Sequence, residues 1–130
     1  MVLAVRWIAG LTALIVLIQA MLIGQSLFLA DPGKQVLHGW LGNAAFIAAL
    51  LLAVLAGISV RRGDLPPAGA GLAVLIAILM VAQLGLGYVG RRGGWSAALH
   101  IPNGVLIVAL LAILLTTSFL AAAIRARTSS

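Results

Sequence analysis

The chain has 130 residues, of which 64% are hydrophobic and 8% are charged, and its mean hydropathy is +1.25. A soluble domain carries about a quarter charged residues, so this composition excludes the soluble class and indicates an integral membrane protein. Eight scattered Lys and Arg residues give the net charge of +6 without a basic stripe, so no nucleic-acid partner is expected, and the lack of cysteine excludes disulfides and thiolate metal sites.

Four apolar segments follow one another along the chain, at about 7–30, 35–60, 67–90 and 97–124, and each can cross a bilayer. The first is too long for a signal peptide and lacks an A-x-A site, so we expect it to stay as a helix. The connections DPGK, RRGDLPP and RRGGWS are short, which makes successive helices antiparallel neighbours. The sequence predicts one all-α domain over 1–130, an up-down-up-down four-helix bundle in the lipid bilayer. Its two hairpins form a parallel repeat about an axis along the membrane normal.

Two polar residues are predicted to begin helices. Asp31, followed by Pro32, is typical of an N-cap before the second helix, and Ser96 of an N-cap before the fourth. On this register His38 and His100 lie within the first two turns of the second and fourth helices, which run in the same direction. We therefore expect the two imidazoles at similar depth in one leaflet, facing each other across the core of the bundle.

These two histidines are predicted to bind a cofactor. Each is followed four residues later by a glycine, Gly42 after His38 and Gly104 after His100, and the chain has no other histidine. Zinc would require four protein ligands, and neither cysteine nor an intramembrane carboxylate is present to complete that set. Haem iron needs only two axial ligands from the protein, and glycines on the same helix faces would admit a flat macrocycle. The sequence predicts one haem b per chain, with His38 and His100 as the iron ligands.

Further polar residues are predicted to support that site. Gln25 and Gln83 lie near the ends of the first and third segments, where each could hydrogen-bond an imidazole or simply join two helices. Three cations lie in the connections above the histidines, where haem propionates would meet water: Lys34, Arg91 and Arg92. Interfacial anchoring is the alternative role of each cation.

The distribution of cations predicts the orientation of the chain. With both termini in the cytoplasm, five Lys and Arg residues lie inside and three lie outside, which the positive-inside rule favours. The histidines would then lie near the outer face of a bacterial inner (plasma) membrane.

This arrangement resembles one four-helix half of the haem A synthase family, in which histidines enter the second and fourth helices from the outer side. It is also similar to small bacterial membrane proteins with a Q…G…H-x-x-x-G pattern in each hairpin. The resemblance covers nearly the whole chain and implies haem ligation by His38 and His100. Gln35 stands where the family has a glutamate, and ADPGK replaces its cysteine-bearing loop. Without that carboxylate we do not expect the methyl-group oxidation of the synthases.

We therefore expect a small b-type membrane cytochrome for electron transfer or haem handling, rather than an enzyme. One haem in one leaflet cannot carry electrons across the bilayer, so a membrane redox partner or a larger complex is expected, and oligomerisation stays open. Three alternatives also stay open. They are an accessory haem- or chlorophyll-binding subunit of a respiratory or photosynthetic complex, a haem A synthase-like enzyme, and a cofactor-free membrane scaffold or transporter.

Overall fold

The computed structural model describes residues 1–90 and 94–128, except for the side chains of Arg125 and Thr128. The described chain forms four helices: α1 (Val2–Leu29), α2 (Pro32–Arg61), α3 (Pro67–Gly90) and α4 (Trp95–Thr128). All four are long and apolar enough to cross a membrane. The predicted all-α four-helix membrane bundle is therefore confirmed. The structure extends three of the predicted segments: α1 begins at Val2, α2 begins at Pro32, and α4 runs from Trp95 to Thr128.

Each helix packs against two neighbours, in the order α1, α2, α3, α4 and back to α1. Within the described residues, the diagonal pairs α1/α3 and α2/α4 make no close backbone approach. Arg6 of α1 helps to close the ring of helices on the α4 side. Its guanidinium donates to the carbonyl oxygen of Ser118 at 2.6 Å and to the Ser118 hydroxyl at 3.3 Å, and it lies 4.1 Å from the centre of the Phe119 ring.

The tightly packed core occupies the half of the bundle nearest the α2–α3 connection. Its inward positions on α2 and α4 recur at spacings of three and four residues and are fully buried: Ala45, Ala49, Leu52, Ala56, Ile107, Leu111 and Leu114. The alanines allow neighbouring helix backbones to approach closely, as is usual in membrane bundles. Buried residues are sparse in the opposite half, nearest the α1–α2 and α3–α4 connections, and this half contains the candidate site.

The connection between α1 and α2 contains only two residues. Ala30 adopts a left-handed conformation with φ 53°, which turns the chain out of α1. The Asp31 carboxylate then accepts a hydrogen bond of 2.9 Å from the backbone N–H of Gly33, and Pro32 is the first residue of α2. The predicted N-cap at Asp31 is confirmed. This tight turn places the first turns of α2 directly beside the last turns of α1.

The N-cap predicted at Ser96 is wrong, because α4 already begins at Trp95. The Ser96 side chain is buried, and its hydroxyl donates a hydrogen bond of 2.8 Å to the carbonyl oxygen of Leu86 on α3. Pro102 lies inside α4 and does not end it, although its missing N–H leaves the carbonyl of Ala98 without the usual intrahelical donor. Ser96 therefore joins two helices at the level where His100 enters the bundle.

Candidate functional site

The two histidines meet across the centre of the bundle. The ring centroids of His38 on α2 and His100 on α4 are 5.8 Å apart, and the ring planes are inclined at 65°. Both residues are half-buried. Since the backbones of these diagonal helices do not approach each other, the contact is made by side chains that reach into the core. The structure thus brings together the two residues that the sequence predicts as a ligand pair.

A backbone carbonyl of the preceding helix anchors each imidazole. His38 Nδ1 lies 3.0 Å from the carbonyl oxygen of Gln19 on α1, and His100 Nδ1 lies 3.1 Å from that of Gln83 on α3. A carbonyl oxygen only accepts hydrogen bonds, so Nδ1 carries the proton and donates in both rings. In a neutral imidazole the Nε2 atom then keeps its lone pair, which is the form in which histidine binds a metal. Each hairpin therefore presents one histidine in the same tautomer.

Gln19 takes the place that the sequence predicts for Gln25. His38 lies six residues after the start of α2. Because α1 and α2 are antiparallel neighbours, this is about the level of residue 23, which lies six residues before the end of α1. The atom that His38 Nδ1 contacts is nevertheless the carbonyl oxygen of Gln19, four residues closer to the start of α1. Gln25 neither lines the cavity of the site nor hydrogen-bonds a histidine within the described residues. Gln83, by contrast, does hydrogen-bond its histidine.

The glycines that follow the histidines make room for glutamine side chains. A Cβ atom on Gly42 would lie 3.2 Å from Gln19 Oε1, and one on Gly104 would lie 3.1 Å from Gln83 Nε2. Both distances are shorter than the roughly 3.5–4.0 Å of ordinary van der Waals contact. The two hairpins thus repeat one Gln–His–Gly unit: Gln19, His38 and Gly42 in the first, and Gln83, His100 and Gly104 in the second.

A third glycine supports His100 from the side of α3. A Cβ atom on Gly87 would lie 3.0 Å from His100 Cε1 and 3.4 Å from His100 Nδ1. Any larger residue there would have to displace the imidazole ring. The sequence does not single out Gly87, because α3 also contains Gly85, which has nothing within 4 Å of its Cβ position, and Gly90.

His100 differs from His38 in having both ring nitrogens hydrogen-bonded. Gln83 Nε2 lies 3.2 Å from His100 Nε2, and since this ring nitrogen carries the lone pair, the amide donates. Asn103 fixes the orientation of that amide, because Asn103 Nδ2 donates to Gln83 Oε1 at 2.6 Å and to the carbonyl oxygen of Leu79 at 3.0 Å. Sequence reasoning missed Asn103, although a lone amide beside Gly104 in an apolar helix was the available signal.

A cavity of about 750 Å³ lies beside the histidines and is lined by all four helices. Its volume falls within the range of about 300–1,000 Å³ that is usual for small-molecule and cofactor sites. Small residues from every helix leave this space open: Ala20, Gly39, Gly42, Gly87, Gly90, Ala97 and Gly104. The polar groups on its wall include both histidines, Gln19, Gln35 and Gln83, and most of the remaining lining is aliphatic. The cavity is therefore an apolar pocket with a few convergent polar groups.

Of the three predicted propionate partners, the structure describes only Lys34. Lys34 lies half-buried in the first turn of α2 and does not contribute to the cavity wall. Arg91 and Arg92 lie outside the described residues. The role of these three cations stays a prediction.

On the α2–α3 side, the cavity-lining Tyr88 donates a hydrogen bond of 3.3 Å to Asn43 Oδ1.

The donor set fits a metal that brings most of its ligands with it. Within the described residues, no group of three or more His, Cys, Asp or Glu side chains could hold a metal ion. When two imidazoles bind one metal from opposite sides, each metal–nitrogen bond is about 2 Å long and each ring centroid lies about 1 Å behind its nitrogen. The two ring centroids are then about 6 Å apart. The centroids of His38 and His100 are 5.8 Å apart. Haem iron accepts up to two axial ligands from a protein, and His38 and His100 could supply both.

Comparison of the chain with known families, curated proteins and solved structures gives no match in any of the three. The resemblance to the haem A synthase family therefore stays a prediction from the motifs around His38 and His100. A functional proposal has to rest on the chemistry of the side chains around the cavity.

Proposed function

We propose that the chain is a small b-type membrane cytochrome that binds one haem between His38 and His100 and serves in electron transfer or haem handling. One observation carries this proposal. The ring centroids lie 5.8 Å apart, each ring has Nδ1 engaged by a backbone carbonyl, and the unprotonated nitrogen of each ring is therefore Nε2, which in His100 accepts a hydrogen bond from the Gln83 amide. Two such rings across a bundle core suit the two axial positions of one haem iron.

The residues of the chain have defined tasks in this proposal. The carbonyls of Gln19 and Gln83 orient the imidazoles, fix their tautomer and raise their basicity, as outer hydrogen-bond partners of metal ligands generally do. The aliphatic cavity wall excludes water and lowers the local dielectric constant, which tunes the reduction potential of a buried group. The haem, when bound, supplies reversible one-electron chemistry.

The spacing of the rings favours one macrocycle over two pigments. A chlorophyll-type pigment takes a single axial ligand, so two histidines would serve two pigments lying side by side. Rings whose centroids are 5.8 Å apart leave no space for two macrocycles between them. The shared position of both histidines on the wall of one cavity supports a single ligand.

The proposal also assigns an orientation of the chain in the membrane. With both termini in the cytoplasm, the cation count of five inside against three outside favours a haem near the outer face of a bacterial plasma membrane. Lys34, in the first turn of α2, and Arg91 and Arg92, which follow α3 in the sequence, would then contact haem propionates. A single haem in one leaflet requires a membrane redox partner or a larger complex to complete any electron path.

Absorption spectroscopy tests the proposal. The protein is expressed in cells with adequate haem supply, purified in detergent, and measured in the oxidised and the dithionite-reduced form. We expect one extractable haem b per chain, a low-spin spectrum and a sharp α-band on reduction. Extraction and identification of the pigment separates haem from a chlorophyll-type ligand. A colourless protein, or one that carries a different pigment, would refute the proposal.

A further inference from the structure

The boundary between α1 and α4 is held together at the end of the bundle that is remote from the histidines. There Arg6 of α1 hydrogen-bonds Ser118 of α4 and lies against the ring of Phe119. At the same end the amino group of Met1 forms an ion pair of 3.4 Å with Asp64, in the α2–α3 connection. The chain joins α1 to α2, α2 to α3 and α3 to α4, so α1 and α4 are the neighbours that no connection links.

Helix geometry identifies the residues that face this boundary nearer the histidines. Leu17 follows Arg6 by eleven positions, which is about three helical turns, so the two residues share one face of α1. Ile101 precedes Phe119 by eighteen positions, which is about five turns, so these two share one face of α4. Because Arg6 and Phe119 contact each other across the boundary, Leu17 and Ile101 also face it.

The side chains at this boundary both line the histidine cavity and face outward. Leu17 is 55% exposed, Ile101 70% and Val105 66%, and all three belong to the cavity wall. Ala20, one turn after Leu17, is also exposed and lines the cavity. Residues that line a cavity and are exposed as well lie at its rim. The cavity therefore has a lateral opening between α1 and α4, with Leu17, Ala20, Ile101 and Val105 at its rim.

The lateral opening faces the hydrocarbon region of the bilayer. Leu17 lies near the middle of α1, and Ile101 and Val105 lie within the second and third turns of α4. On the opposite side of the cavity, the hydrogen bond from Tyr88 to Asn43 joins α3 to α2. The two sides of the cavity thus differ, and the α1–α4 side leads into the lipid.

Building on the proposed haem site, we propose that haem enters and leaves the site sideways from the lipid bilayer, through the lateral opening between α1 and α4. The opening belongs to the same cavity as His38 and His100, so a molecule that passes through it arrives at both imidazoles. Its rim of Leu, Ile and Val side chains suits the apolar edge of a porphyrin, which is driven out of water into such surroundings. The bilayer is then the store with which the site exchanges its cofactor.

The rates of haem binding and release test the inference. The haem-free protein is reconstituted in phosphatidylcholine vesicles, haem is added, and growth of the low-spin Soret band gives the association rate. Release is followed with an excess of a soluble apo-globin that captures haem. Ala20→Trp places a large side chain at the rim, so we expect both rates to fall by the same factor of about 5 to 10, the lower end of the usual cost of overpacking.

The affinity and the low-spin spectrum should stay those of the wild type, because a rim residue obstructs passage and does not alter the bound state. Ala109→Trp is the matched control. Ala109 is exposed on α4 and is not among the described residues that line the cavity, so we expect wild-type rates for it.

Leu17→Ala provides a second variant if Ala20→Trp does not fold. It removes bulk from the rim, so we expect both rates to rise together at unchanged affinity. Its matched control is Leu14→Ala, since Leu14 is 54% exposed on the same helix and is not part of the described cavity wall.

The possible outcomes separate this inference from the proposed function. Wild-type rates in both rim variants would overturn the inference and leave the proposed cytochrome intact. A change in affinity in which only one of the two rates moves would also overturn it, because the residue would then act on the bound state. A protein that binds no haem would instead refute the proposed function itself.

Discussion

Replacing Gly87 by alanine is expected to loosen the His100 ring and to destabilise the bundle. The added Cβ atom would lie 3.0 Å from His100 Cε1, so the ring has to move. A movement of a few tenths of an ångström weakens two hydrogen bonds, from Nδ1 to the Gln83 carbonyl and from the Gln83 amide to Nε2. Gly85→Ala is the matched control on the same helix, because nothing lies within 4 Å of its Cβ position.

The size of the effect follows from this comparison. Both variants exchange glycine for alanine inside α3, so the gain in helix propensity, about 1 kcal/mol in water, is common to both and cancels. Interhelical hydrogen bonds in membrane proteins contribute about 0.6 kcal/mol each on average. Complete loss of both bonds would cost about 1.2 kcal/mol, so their weakening makes Gly87→Ala less stable than Gly85→Ala by up to about that amount.

The assay is reversible unfolding of the haem-free protein in mixed micelles, with a denaturing detergent as the titrant and far-ultraviolet circular dichroism as the signal. The quantity compared is the free energy of unfolding of the two variants. Equal values for Gly87→Ala and Gly85→Ala would refute the reasoning, because they would mean that the ring and its two hydrogen bonds do not stabilise the α3–α4 contact.

Three further predictions concern the ligands, the α2 cap and the orientation. His38→Ala and His100→Ala should each abolish the low-spin absorption spectrum of the haem protein, and a low-spin haem that survives either change would mean that another residue is the ligand. Asp31→Ala removes the N-cap of α2 and should lower the free energy of unfolding by about 1 kcal/mol, measured by the same detergent titration; an unchanged value would show that the cap is not stabilising. A cysteine at Gly93, outside the described residues, should react with a membrane-impermeant thiol reagent in intact cells while one at Gly63 stays protected, and labelling at Gly63 alone would invert the orientation.

The bundle could be predicted because membrane thickness and backbone hydrogen bonding leave few alternatives. A chain with four apolar segments of about 20 residues or more and short polar connections has to form spanning helices in antiparallel sequence. The helix ends were less predictable, since residues at the interface can continue a helix as easily as cap it. Asp31 caps α2 because Pro32 follows it, whereas Ser96 is already inside α4 and donates to Leu86.

The repeat was recognisable in the sequence, but its glutamine was assigned to the wrong residue. His38 and His100 are 62 positions apart, and Gln25 and Gln83 are 58 apart. Gln19 and Gln83 are 64 apart, which is closer to the histidine offset. The contact depends on a backbone carbonyl, which every residue possesses, so side-chain identity gave no reason to prefer Gln19. Only the packing of α2 against α1 decides which carbonyl His38 contacts.

The inequality between the two histidines could not be predicted from the sequence. It depends on which atoms of Gln83 and Asn103 point at each other, and these side chains come from different helices, 20 positions apart in the chain. In an apolar chain, the few amide side chains are the groups that must find hydrogen-bond partners in the bilayer. The sequence does not show which partners they bind, because the pairing depends on the register and rotation of the packed helices.

The repeated Gln–His–Gly unit gives the protein the internal organisation of a homodimer whose two copies have been joined end to end. Each hairpin contributes one anchored imidazole and part of the cavity wall, and the α2–α3 connection is the covalent link between them. In a true homodimer every substitution appears twice, so two histidines related by the symmetry axis must have identical surroundings. Joining the copies in one chain removes that constraint, and an amide such as that of Asn103 can then modify one histidine while its counterpart keeps its original surroundings.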